Sequence, residues 1–292
     1  MVVALLVTVY GLGPLRAAEP EPLRLTDDGL VKTSPRFVDR SGSELVYVVE
    51  DTAVRMRLMR LQFDAGMPID SGSPIHPDET RSEFEPAYSP DGGMLSFVQS
   101  RGNLNLVIMI KELATMREAV IDVGGGFAGP RSPAFTPDGK RVVYSMADES
   151  RQHLYIVPSE GGTPRRIVDS QGVNNWPDVA PDGKTLVFGS SRDADYELYA
   201  ANIDGTNPRR LTYRPGLDAR PRFSPDGKRI AYTSIRDGNY DLYVMNADGT
   251  GERRLTSHPE RDDYATWHPD GKRLVFVGER DGKHDLYEVG VP

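Results

Sequence analysis

Cysteine is absent from all 292 residues, which excludes disulfide staples, thiolate zinc sites, a cysteine nucleophile and a lipidated N-terminal cysteine. Basic charge is short as well: 35 Lys and Arg face 43 Asp and Glu, for a net charge of −8. A nucleic-acid binder needs a basic face to displace counterions from phosphate, so that class is set aside. Long apolar runs are scarce. Beyond Leu15 none approaches the roughly 18 residues of a membrane-spanning helix, and no transmembrane segment is expected. Gly (29) and Pro (23) are plentiful, together about 18% against an ordinary total near 12%. With 13 Tyr and 38% hydrophobic residues, the composition describes many short strands joined by tight turns.

Met1 to Leu15 is apolar apart from Gly11, Gly13 and Pro14, and Ala17 and Ala18 follow as a small-residue exit. The pattern is that of a secretory signal peptide, although no basic n-region precedes it and the first Arg is Arg16. Residues 1–18 are therefore expected to be a signal peptide and residues 19–292 one domain of a periplasmic or secreted protein. The alternative for this stretch is a buried strand or a disordered tail.

The main body repeats. Pro-Asp-Gly recurs at Pro90, Pro137, Pro181, Pro225 and Pro269, spaced 47, 44, 44 and 44 residues apart. A degenerate copy at Ser34-Pro-Arg-Phe37, with Gly42 in the turn, makes six. Each copy parses into four strands. The first ends just before the turn (Phe37, Tyr88, Phe135, Val179, Phe223, Trp267), and Asp-Gly supplies the positive-φ residue a tight hairpin needs. The second is a short apolar run, such as Val142-Val-Tyr144 or Leu274-Val-Phe276, without polar alternation. Both of its faces should therefore be buried. The third carries Leu-Tyr, at Leu154, Leu198, Leu242 and Leu286. The fourth is Arg-rich, as in Arg209-Arg-Leu-Thr212 and Arg253-Arg-Leu-Thr256, which suits an outer edge.

The chain ends decide the topology. The last copy stops after its third strand, at Tyr287-Glu-Val289, while Leu23-Arg-Leu-Thr26 matches a fourth strand. The N-terminal segment should complete the sixth sheet and close a ring. The expected fold is all-β, a six-bladed β-propeller of four-stranded blades.

The run Ser-Pro-Asp-Gly-Lys-Arg, followed by Ser-x-Arg-Asp-Gly-x-x-Asp-Leu-Tyr, resembles the WD40-like repeat of the TolB-like β-propeller family. The resemblance is strong from Asn174 onward and looser before. It implies kinship with TolB-type propellers, the propeller portions of prolyl-oligopeptidase-like peptidases and pectate-fragment lyases. TolB-type proteins carry an extra α/β domain for which this chain leaves no room, so a role in the Tol–Pal system is not carried over.

Both kinds of Asp-Gly turn lie at one end of the blades and read as scaffold. Arg192 with Glu197, Arg236 with Asp241 and Arg280 with Asp285 recur between the second and third strands, and ion pairs pinning that turn are expected in preference to a calcium loop at Asp193, Asp195 and Glu197. The opposite end varies: Lys32-Thr-Ser34, Glu83-Phe-Glu85, Pro130-Arg-Ser132, Asn174-Asn-Trp176, Asp218-Ala-Arg220, Asp262-Asp-Tyr264. These triplets should converge on the tunnel mouth. The expected ligand-binding set is Glu83, Glu85, Arg131, Asn175, Trp176, Arg220, Asp262 and Tyr264, facing a protein, envelope polymer or glycan. The alternative is loop drift, with Trp176 capping a hydrophobic gap. Two longer loops, Pro74 to Ser82 and Gly124 to Pro130, should add to that face. Gly124, Gly126 and Gly129 match G-x-G-x-x-G, but a strand follows where a dinucleotide site needs a helix.

Neither a G-x-S-x-G elbow nor H-E-x-x-H occurs, and no hydrolase domain fits in the length. Among five histidines, His153, His268 and His284 read as structural. The leading expectation is a monomeric, non-catalytic, exported binding propeller without a cofactor. Its rival is a metal-dependent carbohydrate-active enzyme, lyase-like, with His76 and His258 holding a divalent cation beside Glu83, Glu85 or Asp262. A third possibility is a fragment of a larger regulatory chain.

Overall fold

Each repeat copy folds into one antiparallel sheet, and the computed structural model describes residues 21–102, 105–123, 128–148, 151–236 and 238–292. Residues 1–18, expected to form a signal peptide, lie outside the described residues, as do Gly124 and Gly126. Among the described residues no helix is long and apolar enough to cross a membrane. The innermost strands of blades 1 to 6 are Lys32–Phe37, Glu83–Tyr88, Arg131–Phe135, Asn174–Val179, Leu217–Phe223 and Asp262–Trp267. Each touches the innermost strands of its two neighbours, and the six form a closed ring around an axial tunnel. The fold is a six-bladed β-propeller.

Six apolar clusters fill the six junctions between blades. The unalternating second strands explain this. Val142 and Tyr144 pack toward blade 2, while Val143 packs toward blade 4. Successive side chains thus serve opposite faces of one sheet, and both faces are core. Cross-strand ring pairs recur at one level: Tyr144 with Tyr155, Phe188 with Tyr199, Tyr232 with Tyr243 and Phe276 with Tyr287, with centroids 5.7–6.1 Å apart.

The Pro-Asp-Gly turns share one mechanism. Gly92, Gly139, Gly183, Gly227 and Gly271 all sit at φ between 68° and 71°, a region that L-residues with a Cβ enter at a cost. The aspartate then accepts from a backbone N–H beyond the turn, as Asp226 does from Lys228 at 3.1 Å. In blade 6 His268 stands where blades 2, 3 and 5 have Ser89, Thr136 and Ser224, and its Nδ1 accepts from the Asp270 N–H at 3.2 Å.

The N-terminal segment closes the ring. Leu23–Arg24 pairs antiparallel with the last strand, Leu23 opposite Glu288 and Arg24 opposite Tyr287. Buried Asp285 anchors the join, accepting from Arg24 Nη2 at 2.6 Å, Thr26 Oγ1 at 2.8 Å and Lys32 Nζ at 3.3 Å. Thr26 Oγ1 in turn accepts from the Leu286 N–H at 3.0 Å. Blade 5 makes the same contacts within one repeat, Arg254 to Asp241 at 2.6 Å and Leu242 N–H to Thr256 at 3.0 Å. Blade 4 does so through Arg210, Thr212 and Glu197.

This arrangement corrects the expected ion pairs. Glu197, Asp241 and Asp285 take the fourth-strand Arg instead of the second-strand Arg. Arg236 pairs with Glu252 at 2.5 Å and Asp218 at 3.4 Å, and Arg280 with Asp262 at 2.8 Å. Arg192 donates to Asn174 at 3.1 Å. Each of these guanidiniums lies over the Tyr of its own Leu-Tyr, at 4.4–4.8 Å from the ring centroid, which draws it away from the third-strand acid.

Burial opposes ionisation of Asp285, but the hydrogen bonds from Thr26 and Arg24 and the Lys32 charge outweigh it and hold the carboxyl below its ordinary range. Its folded pKa is thus depressed, so its contribution is complete above the unfolded value near ~3.9 and is lost as pH falls through the folded value. Asp285→Asn should cost about 3–5 kcal/mol at pH 7, as the loss of one buried ion-pair partner does. In urea melts the gap between wild type and variant should shrink below about pH 4; a gap equal at pH 7 and pH 2.5 would remove Asp285 as the charged anchor.

Candidate functional site

The same irregularity interrupts all six innermost strands. Between Thr33 and Arg36, three residues advance against two on the partner strand, and the identical one-residue bulge recurs in every blade. At each bulge a residue other than glycine has positive φ: Ser34 (53°), Glu85 (50°), Ser132 (53°), Trp176 (51°), Arg220 (53°) and Tyr264 (57°). Five of the six precede proline, whose ring already disfavours α conformations in the residue before it. Left-handed backbone costs an L-residue about 1–2 kcal/mol. Bulges re-aim side chains, and here all six aim at one place. All line a single chamber of about 190 Å³ at the tunnel mouth.

The chamber wall is organised around Arg220. Its guanidinium lies 4.1 Å from the Tyr264 ring centroid and 4.9 Å from that of Trp176. Nη1 sits 3.3 Å from the buried Asp263 carboxylate, and Nη2 donates to the Tyr264 hydroxyl at 3.2 Å. Burial opposes the Arg220 charge, but Asp263 and Tyr264 outweigh it and hold its pKa above the ordinary value. Behind Trp176 lies Tyr196, with ring centroids 5.3 Å apart. Gly189 makes room for that pair, since a Cβ there would come within 2.9 Å of Tyr196 and 3.2 Å of Trp176. On the opposite wall Glu85 accepts from the Ser132 N–H at 2.6 Å, and Arg131 lies 5.8 Å from the Phe84 ring centroid.

The floor was not anticipated from the sequence. Arg36 and Arg222 line both the mouth chamber and a second chamber of about 440 Å³ toward the Pro-Asp-Gly end. Asp178 stands with them, its Oδ2 accepting from the Phe223 N–H at 2.8 Å and its Oδ1 3.9 Å from Arg222. Burial raises the Asp178 pKa. Burial and the neighbouring Arg222 push that of Arg36 well down, and burial lowers that of Arg222. These residues stand two places after the bulge, and only knowledge of the bulge turns that position inward. The Pro-Asp-Gly end, read from the sequence as scaffold alone, is therefore also concave, ringed by Phe37, Tyr88, Phe135, Phe223 and Trp267.

Of the eight expected binding residues, Glu85, Arg131, Trp176, Arg220 and Tyr264 meet at the chamber. The other three turn elsewhere. Glu83 is buried against His76, 2.9 Å from its Nδ1. Asn175 accepts from Ser145 at 2.7 Å between blades 3 and 4. Asp262 is buried against Arg280. The first residue of each triplet alternates into the blade, whereas the third is turned to the tunnel by the bulge. Neither His76 nor His258 lines the mouth. His76 also meets Lys111, 3.4 Å from its Nε2, and His258 lies in another cleft with Asp262 and Arg280. Among the described residues, no group of three or more His, Asp or Glu is arranged to hold a metal ion.

Comparison with known proteins agrees with this architecture. The sequence model of the TolB β-propeller domain matches residues 42–220 and 214–292. The fold is similar to TolB from Acinetobacter baumannii (TM-score 0.68, 21% identity), over 84% of this chain and 63% of that one. The chain thus spans less than two thirds of that protein's length. It is also similar to a chain in the crystal structure of a nidogen/laminin complex (TM-score 0.63, 14% identity, 79% of this chain and 89% of that one). A third similarity is to an oligogalacturonate lyase in complex with manganese (TM-score 0.59, 18% identity, 92% of each chain).

Two substitutions test the construction of the wall. Ser34→Gly should leave stability within about 1 kcal/mol of wild type, because glycine enters the left-handed region freely; Ser34→Val should cost about 1–2 kcal/mol. Arg220→Met removes one of the two guanidiniums on the buried Asp263 carboxylate and leaves Arg261 on it, so it should cost less than the about 3–5 kcal/mol of a fully broken buried pair; a double-mutant cycle with Asp263→Asn, read by chemical denaturation, should return a coupling of at least about 0.5 kcal/mol.

Proposed function

Because the chain belongs to the TolB β-propeller domain family, we propose that it is an exported, non-catalytic binding protein that holds a protein or envelope polymer at the tunnel mouth. The observation carrying this reading is the convergence of six strained bulge residues on one chamber. Backbone strain of this kind concentrates at sites where a precise side-chain presentation is needed. Six repeats of a scaffold element, presenting five kinds of side chain, are a means of presenting a chosen surface on a fixed frame. An Arg with two aromatic rings is the composition that dominates binding energy at protein interfaces.

The reading is tested by immobilising residues 19–292 and capturing from an envelope extract of the source. A Trp176→Ala, Arg220→Ala double variant, verified as folded by its melting curve, serves as the comparison. One or more species should be retained by the wild type and lost from the variant. Retention of the same species by both proteins would move the binding surface away from the mouth.

A further inference from the structure

The mouth is basic although the protein is acidic. Four arginines (Arg36, Arg131, Arg220 and Arg222) line the chamber against one carboxylate, Glu85, while the chain as a whole carries −8. Most of this charge is answered nearby. Arg220 has Asp263 at 3.3 Å, a carboxylate it shares with Arg261, Arg222 has Asp178 at 3.9 Å, and Glu85 lines the same wall as Arg131. Arg36 differs. Among the described residues its guanidinium donates only to the Pro35 carbonyl, at 2.7 Å, and no carboxylate lies within ion-pair distance. It stands half-buried on the floor, beside the like charge of Arg222, and burial together with Arg222 works against its ionised form more strongly than Asp178 and Glu85 support it. A guanidinium without an ion-pair partner in a poorly solvated chamber matches a monoanion, and its fork matches the two oxygens of a carboxylate.

The aromatic rings narrow the ligand further. A sugar needs a free ring face to stack on. Trp176 has Arg220 on one side and Tyr196 against it, and Tyr264 is packed between Arg220 and the junction of blades 6 and 1. The chamber therefore offers N–H donors more than stacking platforms. We propose that Arg36, with Arg222, forms a carboxylate-binding floor that receives an acidic group of an extended peptide, either a C-terminal carboxylate or an Asp or Glu side chain, entering through the tunnel mouth. The proposal rests on the mouth being a partner-binding surface, and adds the chemistry of what is recognised there.

The test uses an array of hexapeptides printed in four forms: free acid or amide at the C terminus, each with or without an internal Glu. Trigalacturonate is immobilised alongside. The full-length mature protein is applied as wild type, Arg36→Gln and Arg36→Lys, each checked by its melting curve. Wild type should retain acid-bearing peptides at least tenfold above the uncharged amide forms, and added acetate should compete. The free-acid and internal-Glu arms tell terminus from side chain. Arg36→Gln should reduce retention to the amide level, and Arg36→Lys should keep part of it. If Arg36→Gln does not fold, the acid-over-amide ratio and acetate competition in the wild type, with the Lys variant, still decide. Peptides retained without regard to charge, or acid-bearing peptides retained equally by all folded variants, would overturn the floor and leave the mouth standing. Trigalacturonate retained in place of peptides would overturn the peptide assignment. Retention of nothing would sink the floor and the mouth reading together.

Discussion

The structure depends on a join between its two ends. The last blade has three strands from its own repeat, and two residues of strand from the other end, Leu23–Arg24, supply its fourth. So short a ladder contributes little by itself. The side chains hold it: Asp285 gathers Arg24, Thr26 and Lys32, and Leu25 enters the apolar cluster between blades 6 and 1. Blades 4 and 5 use the same Arg-Leu-Thr contacts within one repeat, so the closure copies a local motif across the whole length of the chain. Lys32 extends the contact to the first innermost strand. The join thereby fixes the first and last members of the ring that forms the tunnel wall.

From that ring the site follows by one device used six times. A regular innermost strand would alternate its side chains between the two neighbouring blades. The bulge adds one residue, turns its side chain to the axis and lets the strand resume. The scaffold cost is the same in each blade, while the side chain presented is free to differ: Ser, Glu, Ser, Trp, Arg and Tyr. Variation at these positions alters the chamber, and among the six Tyr264 also packs against an inter-blade core. The resulting wall is cationic and aromatic, and its rings are occupied from within by Arg220 and Tyr196.

Much of the fold was legible in the sequence because repetition substitutes for an alignment. The 44-residue spacing gave the blade count, the unalternating Val142-Val-Tyr144 type of run gave two-sided burial, and Leu23-Arg-Leu-Thr26 gave the closure. The site was legible only in part. Trp176, Arg220 and Tyr264 stood out as the variable third residues of their triplets. Glu83, Asn175 and Asp262 were grouped with them because adjacency in sequence hides which residue a bulge turns. Arg36 and Arg222 were absorbed into the scaffold for the same reason. The acids of the third strand were paired with their nearest Arg in sequence, whereas stacking on Tyr199, Tyr243 and Tyr287 takes those guanidiniums elsewhere and the fourth strand supplies others.

The central claim is that the bulges assemble a binding surface at one end of the tunnel. Hydrogen-exchange mass spectrometry on the protein saturated with a species it retains examines that claim most directly. The account predicts slowed exchange in the innermost strands around residues 33–36, 84–87, 131–134, 175–178, 219–222 and 263–266, with the Pro-Asp-Gly turns unchanged. Protection confined to those turns, or to the outer strands of the blades, would contradict it.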